Sequence, residues 1–156
     1  MSRRNIAKKR FPGADPIYNS NLVNLLIKRI LKCGKKYKAY KIVYTTLIII
    51  NEKTNEDPLI IFEKAIQNVS PIVEIKSRRI GGSTYQVPIE VSSFRATNLA
   101  LSWLILYSKR RVGRSMAKKL ASEIIDSSND TGSTIKKKEE IHKIAAANKT
   151  FAHLRY

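Results

Sequence analysis

The chain is poor in the residue types that catalysis and covalent stabilisation need. It has one cysteine, Cys33, and two histidines, His142 and His153, among 156 residues. One thiol makes no internal disulfide and no zinc site built on several cysteines, and two histidines leave little for a His-rich metal site. Acids are scarce, with 12 Asp plus Glu against 30 Lys plus Arg and a formal charge of +18. Apolar runs are short: residues 46–50 fall far below the roughly 20 residues a bilayer-spanning helix needs. The first ten residues carry no apolar h-region, so no secretory signal is expected. No paired carboxylates, metal cluster or nucleophile–base arrangement emerges, so neither an enzyme nor a cofactor is expected. Apolar types nonetheless make up 43%, enough for a packed core and more than a disordered basic tail would hold. These features describe a small, soluble, intracellular domain that seeks a polyanion.

The distribution of charge sharpens this. Residues 16–51 contain Lys28, Arg29, Lys32, Lys35, Lys36, Lys38 and Lys41 and no acid. Residues 91–122 hold Arg95, Lys109, Arg110, Arg111, Arg114, Lys118 and Lys119, again without a carboxylate. An N-terminal arm adds Arg3, Arg4, Lys8, Lys9 and Arg10. A solvated helix face normally mixes signs. Whole segments of one sign repel themselves unless an external polyanion neutralises them, and a domain pI above about 9 marks nucleic-acid binders. An anionic membrane is a weaker partner, because no basic face is backed by the Trp/Phe/Leu face of an interfacial helix.

Periodicity predicts a mainly α chain: a bundle of about six helices, one protruding β-hairpin and a basic N-terminal arm. The arm covers 1–14, a single helical domain 15–148 and a tail 149–156. Asn19 or Ser20 can cap a first helix running to Cys33, with Leu22, Val23, Leu26, Ile27, Ile30 and Leu31 at helical spacing and Gly34 as its stop. A second helix is expected over 35–50, its β-branched end ambiguous. Asp57-Pro58 opens a third, which Ser70-Pro71 closes. The period then changes to two: Val73 and Ile75, then Val87, Ile89 and Val91, flank Gly81-Gly82 and predict a hairpin at about 72–91. Its apolar face is confined to the base, so its outer half projects, and Pro88 marks an edge. Ser92 or Ser93 caps a fourth helix with Leu99, Ala100, Trp103, Leu104 and Tyr107 inward. Ser115 caps a fifth, with Met116, Leu120, Ala121 and Ile124 inward. A sixth is expected from Lys136 to about Asn148, before an aromatic, basic tail.

Candidate chemistry is thin. Gly81-Gly82-Ser83-Thr84 lacks the Lys-Ser/Thr pair and helix N-terminus of a phosphate loop, so it reads as a hairpin turn. His142 reads as an exposed or capping histidine, Cys33 as a small core residue and Trp103 as core. For Tyr85, stacking on a nucleotide and packing on the hairpin's own face remain equal alternatives.

Several stretches together resemble the small-subunit ribosomal protein seven family. They are Asp15-Pro16-Ile17-Tyr18 with the Leu22-Val23 helix and Gly34-Lys35-Lys36; the hairpin around Arg78-Arg79-Ile80-Gly81-Gly82; Arg114-Ser115-Met116-Ala117 with Leu120-Ala121-Ser122-Glu123; and Lys136-Lys137-Lys138-Glu139-Glu140-Ile141-His142 running into Ala147-Asn148-Lys149-Thr150-Phe151. The resemblance covers essentially the whole chain. It implies a six-helix bundle with a long hairpin that binds the 3′ major domain of 16S-type rRNA and nucleates assembly of the subunit head. It also implies a place near exit-site tRNA and mRNA, beside small-subunit protein eleven. By position, Arg3, Arg4, Lys8, Arg10, Lys35, Lys36 and Arg95 fall where the family meets rRNA. The hairpin adds Lys76, and the basic segment 91–122 adds Arg110, Arg111 and Arg114, as rRNA candidates. Arg78, Arg79 and Tyr85 on the hairpin, with Lys136, Lys137 and Lys138, are the tRNA- and mRNA-proximal candidates. Relatives often have a second cation at Ser93-Phe94 and an arginine at Lys138 and Lys143; lysine keeps the charge but loses the bidentate fork. The Ile- and Lys-heavy composition and the Met-Ser-Arg-Arg start resemble a plastid-encoded version, working in the stroma. A bacterial cytoplasmic protein is the alternative.

Overall fold

The computed structural model describes residues 12–155, with side chains to residue 152. Among these residues are six α-helices and one antiparallel hairpin: α1 (Asn21–Ile30), α2 (Lys36–Thr54), α3 (Pro58–Val69), β1 (Val73–Ile80), β2 (Ser83–Glu90), α4 (Ser93–Arg110), α5 (Met116–Ser128) and α6 (Ser133–Ala147). A 3₁₀ segment, Lys149–Arg155, follows. No helix among them is long and apolar enough to cross a membrane.

Helix α5 lies at the centre and packs against α2, α3 and α4. Its Leu120, Ala121 and Ile124 meet a core that includes Val43, Leu47 and Ile50, Phe62 and Val69, and Leu101 and Leu104, all fully buried. Each large side chain so enclosed contributes about 1.5–3 kcal/mol of transfer free energy. Trp103 packs at the edge of this core, half-buried.

Local signals set most boundaries. The Asp57 carboxylate accepts the Leu59 N–H at 2.9 Å, and Pro58 takes the first helical position, where it has no donor to lose. Ser115 occupies the cap position of α5 without a side-chain bond. The hairpin pairs Val73 with Glu90 through Ile80 with Ser83. Its two-residue turn holds Gly81 and Gly82 at φ +54° and +91°, the left-handed pair that a tight hairpin requires and glycine adopts without strain. Val87 and Pro88 at the base are buried, whereas residues 79–84 are exposed.

Four expectations need correction. Helix α1 stops at Ile30, before Cys33, because Leu31 already turns extended at ψ 128°, and the left-handed Cys33 (φ +52°) and Gly34 (φ +68°) then complete the turn. Cys33 is therefore exposed on a turn and is not a core residue. Helix α2 continues past Ile50 to Thr54, where left-handed Asn55 ends it; burial of Leu47 and Ile50 outweighs the β-branched preference for strand. Helix α6 begins at Ser133, before Lys136, since Thr134 and Ile135 are buried.

Candidate nucleic-acid interface

The chain enters the bundle through a fixed point. Buried Asp15 accepts the N–H groups of Ile17 and Tyr18, each at 3.2 Å, and the Tyr44 hydroxyl at 3.0 Å. Burial first, then the bond to Asp15 and its charge, pushes the Tyr44 phenol up to about 12. Asn24 donates its Nδ2 to the Gly13 carbonyl at 2.7 Å. The arm candidates Arg3, Arg4, Lys8 and Arg10 lie outside the described residues.

Beyond this point the hairpin base, the end of α1 and the start of α4 form a groove lined by Arg29, Glu74, Lys76, Glu90, Phe94 and Arg95 among others. Glu74 aligns two of the cations, accepting Lys76 Nζ at 3.3 Å and Arg95 Nε at 3.1 Å. Arg29, on the polar side of the last turn of α1, is held by neutral oxygens: it donates to Asn98 Oδ1 at 2.7 Å and to Ser102 Oγ. Burial, and then the nearby Arg95 charge, lower the Arg29 pKa. Like charges held side by side form a ready anion site. Arg29 stands in the acid-free basic segment 16–51 among six other cations, with no motif to set it apart from them. Its position among the last basic residues of a helix, at the negative end of the dipole, was the available signal.

The other candidates are dispersed. Lys35 and Lys36 stand exposed on the α1–α2 turn, and Lys36 lies over the Tyr40 ring at 5.4 Å. Arg110 and Arg114 are exposed between α4 and α5, with Arg110 over the Tyr107 ring at 5.2 Å. Arg111 turns inward, where it pairs with Glu123 and Asp126. On α6, Lys136 is exposed, Lys137 pairs with Glu140 at 2.9 Å and Lys138 Nζ donates to the Asn68 carbonyl at 2.6 Å. The self-repulsion expected of the acid-free segments is thus relieved in part at Arg95 and Arg111, because carboxylates from other segments pair with them.

The hairpin's outer half carries Arg78, half-buried, and Arg79, exposed. Tyr85 lies against Phe151 of the 3₁₀ segment, ring centroids 5.2 Å apart, so it is covered on one side by an aromatic from outside the hairpin. His142 is half-buried and caps no helix: its Nε2 accepts the Ile72 N–H at 3.3 Å, at the hairpin's entrance, in place of the exposed or capping role expected of it. Burial, then the Lys138 charge, lower its pKa. The described residues contain no group of three or more His, Cys, Asp or Glu that could hold a metal ion.

The family described as "Ribosomal protein S7p/S5e" matches residues 2–149. The chain belongs to this family. "Small ribosomal subunit protein uS7c" of Trieres chinensis is 69% identical over 144 residues, 92% of this chain and 91% of that protein. "Small ribosomal subunit protein uS7" of Thermosynechococcus vestitus is 55% identical, and that of Synechocystis sp. 56%, each over 156 residues and the full length of both chains. This S7p/S5e member is accordingly a structural ribosomal component and not an enzyme, and its helices and hairpin match the architecture that the resemblance implied.

Proposed function

We propose that this S7p/S5e protein binds the 3′ major domain of 16S-type rRNA and nucleates assembly of the small-subunit head. The observation that carries the reading is Arg29, held by Asn98 and Ser102 beside Arg95 at the foot of the hairpin. A folded RNA backbone supplies the anion that Arg29 lacks, and a rigid helical body suits recognition by shape over base-by-base readout. Lys35, Lys36, Lys76, Arg110 and Arg114 extend the contact, with Arg3, Arg4, Lys8 and Arg10 of the arm. The hairpin, through Arg78, Arg79 and Tyr85, and the start of α6, through Lys136, Lys137 and Lys138, face exit-site tRNA and mRNA, with small-subunit protein eleven as a neighbour. The compartment is the plastid stroma, in keeping with the uS7c name of one relative; a bacterial cytoplasm is the alternative, in keeping with the cyanobacterial ones.

Nuclease footprinting of the protein on the 3′ domain of small-subunit rRNA tests the reading. A discrete protected region is expected, lost in Arg29→Ala with Arg95→Ala. If about six phosphates are neutralised, log K falls with log[salt] at a slope of roughly −4 to −5. Folded protein that leaves no footprint, or that binds random duplex DNA as tightly at equal salt, overturns it.

A further inference from the structure

One carboxylate ties three segments together. Glu123, in the middle of α5, is wholly buried. It accepts Arg111 Nε from the residue that ends α4, and both the N–H (3.1 Å) and the hydroxyl of Thr134 in the first turn of α6. Arg111 also reaches Asp126 one turn further along α5, and the Asp126 carbonyl accepts the Thr131 N–H and hydroxyl, each at 2.9 Å. Gly132 closes the knot at φ +96°, where an added Cβ would stand 3.3 Å from Asp126 Cβ and 3.5 Å from Glu123 Oε1. Burial pushes the Arg111 pKa down, but the bonds to Asp126 and Glu123 and their charges outweigh it and the net shift is up. Arg111 is thus held as a cation turned toward α5.

From this geometry we infer that Arg111, Glu123 and Thr134 are positioning residues for RNA binding, which hold two basic segments in one register. One is the α4–α5 turn with Arg110 and Arg114; the other is the start of α6 with Lys136. The inference rests on the rRNA-binding reading above and deepens it. A rigid connection matters because each exposed cation gains from a phosphate only if the folded RNA meets both segments at once, as with two linked binding modules. Buried charge networks of this kind cost stability when one partner is removed, and act best as devices that specify a single arrangement.

The test turns on sign. Glu123→Gln removes a negative charge from a protein that binds a polyanion, so bulk electrostatics alone strengthens binding. Arg111→Lys keeps the charge, so a direct phosphate contact would survive it. If the knot sets the register, both variants weaken binding of the full chain to the 3′-domain rRNA fragment about tenfold, or 1.4 kcal/mol, at a temperature where circular dichroism shows full helix content. Asp126→Asn serves as a milder variant should either fail to fold, and is expected to weaken binding in the same direction. Arg114→Ala is the contrast: it lowers the salt slope by about one, as loss of a phosphate contact does. Hydrogen exchange at the Thr134 amide is expected to quicken in both knot variants. Unchanged or tighter binding by Glu123→Gln with a freely exchanging Thr134 amide overturns the inference. Failure of the wild-type chain to bind the fragment instead overturns the functional reading, while the exchange rate still reports the knot.

Discussion

The ring of Phe151 rests on that of Tyr85 with centroids 5.2 Å apart and planes inclined by 52°, so the C-terminal 3₁₀ segment is fastened to the middle of strand β2. Asn148 adds a long contact to Gln86, Nδ2 to Oε1 at 3.5 Å. Phe151→Ala should loosen the hairpin without touching the core. A ring pair is worth about 1 kcal/mol, which corresponds to roughly fivefold faster amide exchange in the hairpin. Exchange measured at Tyr85 and Val87, whose amides lie at the hydrogen-bonded pairs of the ladder, checks this, and unchanged rates there would show that the strands hold themselves.

Acid should weaken the same region at its other end. His142 must be neutral for its Nε2 to accept the Ile72 N–H, and its folded pKa lies below its ordinary value of about 6.5. Protonation is therefore easier in the unfolded chain. The stabilisation is full above about pH 6.5 and declines as pH falls through the ordinary value towards the folded one. Thermal melts from pH 7.5 to 5 should show a decrease in wild type that is smaller in His142→Gln.

Alkali acts on the arm's point of entry. With the Tyr44 phenol pushed up to about 12 by burial and by Asp15, the folded chain holds that proton where the unfolded chain, titrating near 10, has released it. Stability contributed by this group is complete below about pH 10 and is lost as pH rises through 12. Ultraviolet titration should find late-titrating tyrosine, Tyr18 being raised as well by burial and then by Asp15 and Asp57, and Tyr44→Phe should reduce the late fraction.

Arg78 and Arg79 lie on the hairpin's outer half, away from the Arg29–Arg95 groove at its foot. Arg78→Ala with Arg79→Ala should leave affinity for isolated rRNA within about threefold, while impairing tRNA or mRNA handling in a reconstituted translation assay more strongly. Equal losses in both measurements would place the hairpin arginines in the rRNA contact itself.

Features encoded by neighbouring residues were legible from the sequence, and those that depend on distant partners were not. The change of period around Gly81-Gly82 placed the hairpin, and Asp57-Pro58 placed the start of α3, because turn and cap chemistry act over two or three residues. The start of α6 was read late because Thr134 is drawn into the helix by Glu123, eleven positions earlier. Arg111 carried the same composition signal as Arg110 and Arg114, and its inward turn depends on carboxylates about two and three helical turns into the next helix. Arg29 shows the limit most clearly: its partner Asn98 is 69 positions away, and no local pattern announces such a meeting.

The hairpin's slender form has a mechanical consequence. The four residues of β2 from Ser83 to Gln86, beyond buried Val87, at about 3.3 Å each, make a lever of roughly 13 Å, so a swing of about 10° at its root carries the tip about 2 Å. Errors of that size separate a hydrogen bond from a gap. Aim at the far end is therefore governed by stiffness near the fulcrum, where His142 and the buried Val87 and Pro88 sit, and substitutions there should be felt a nanometre or more from where they are made.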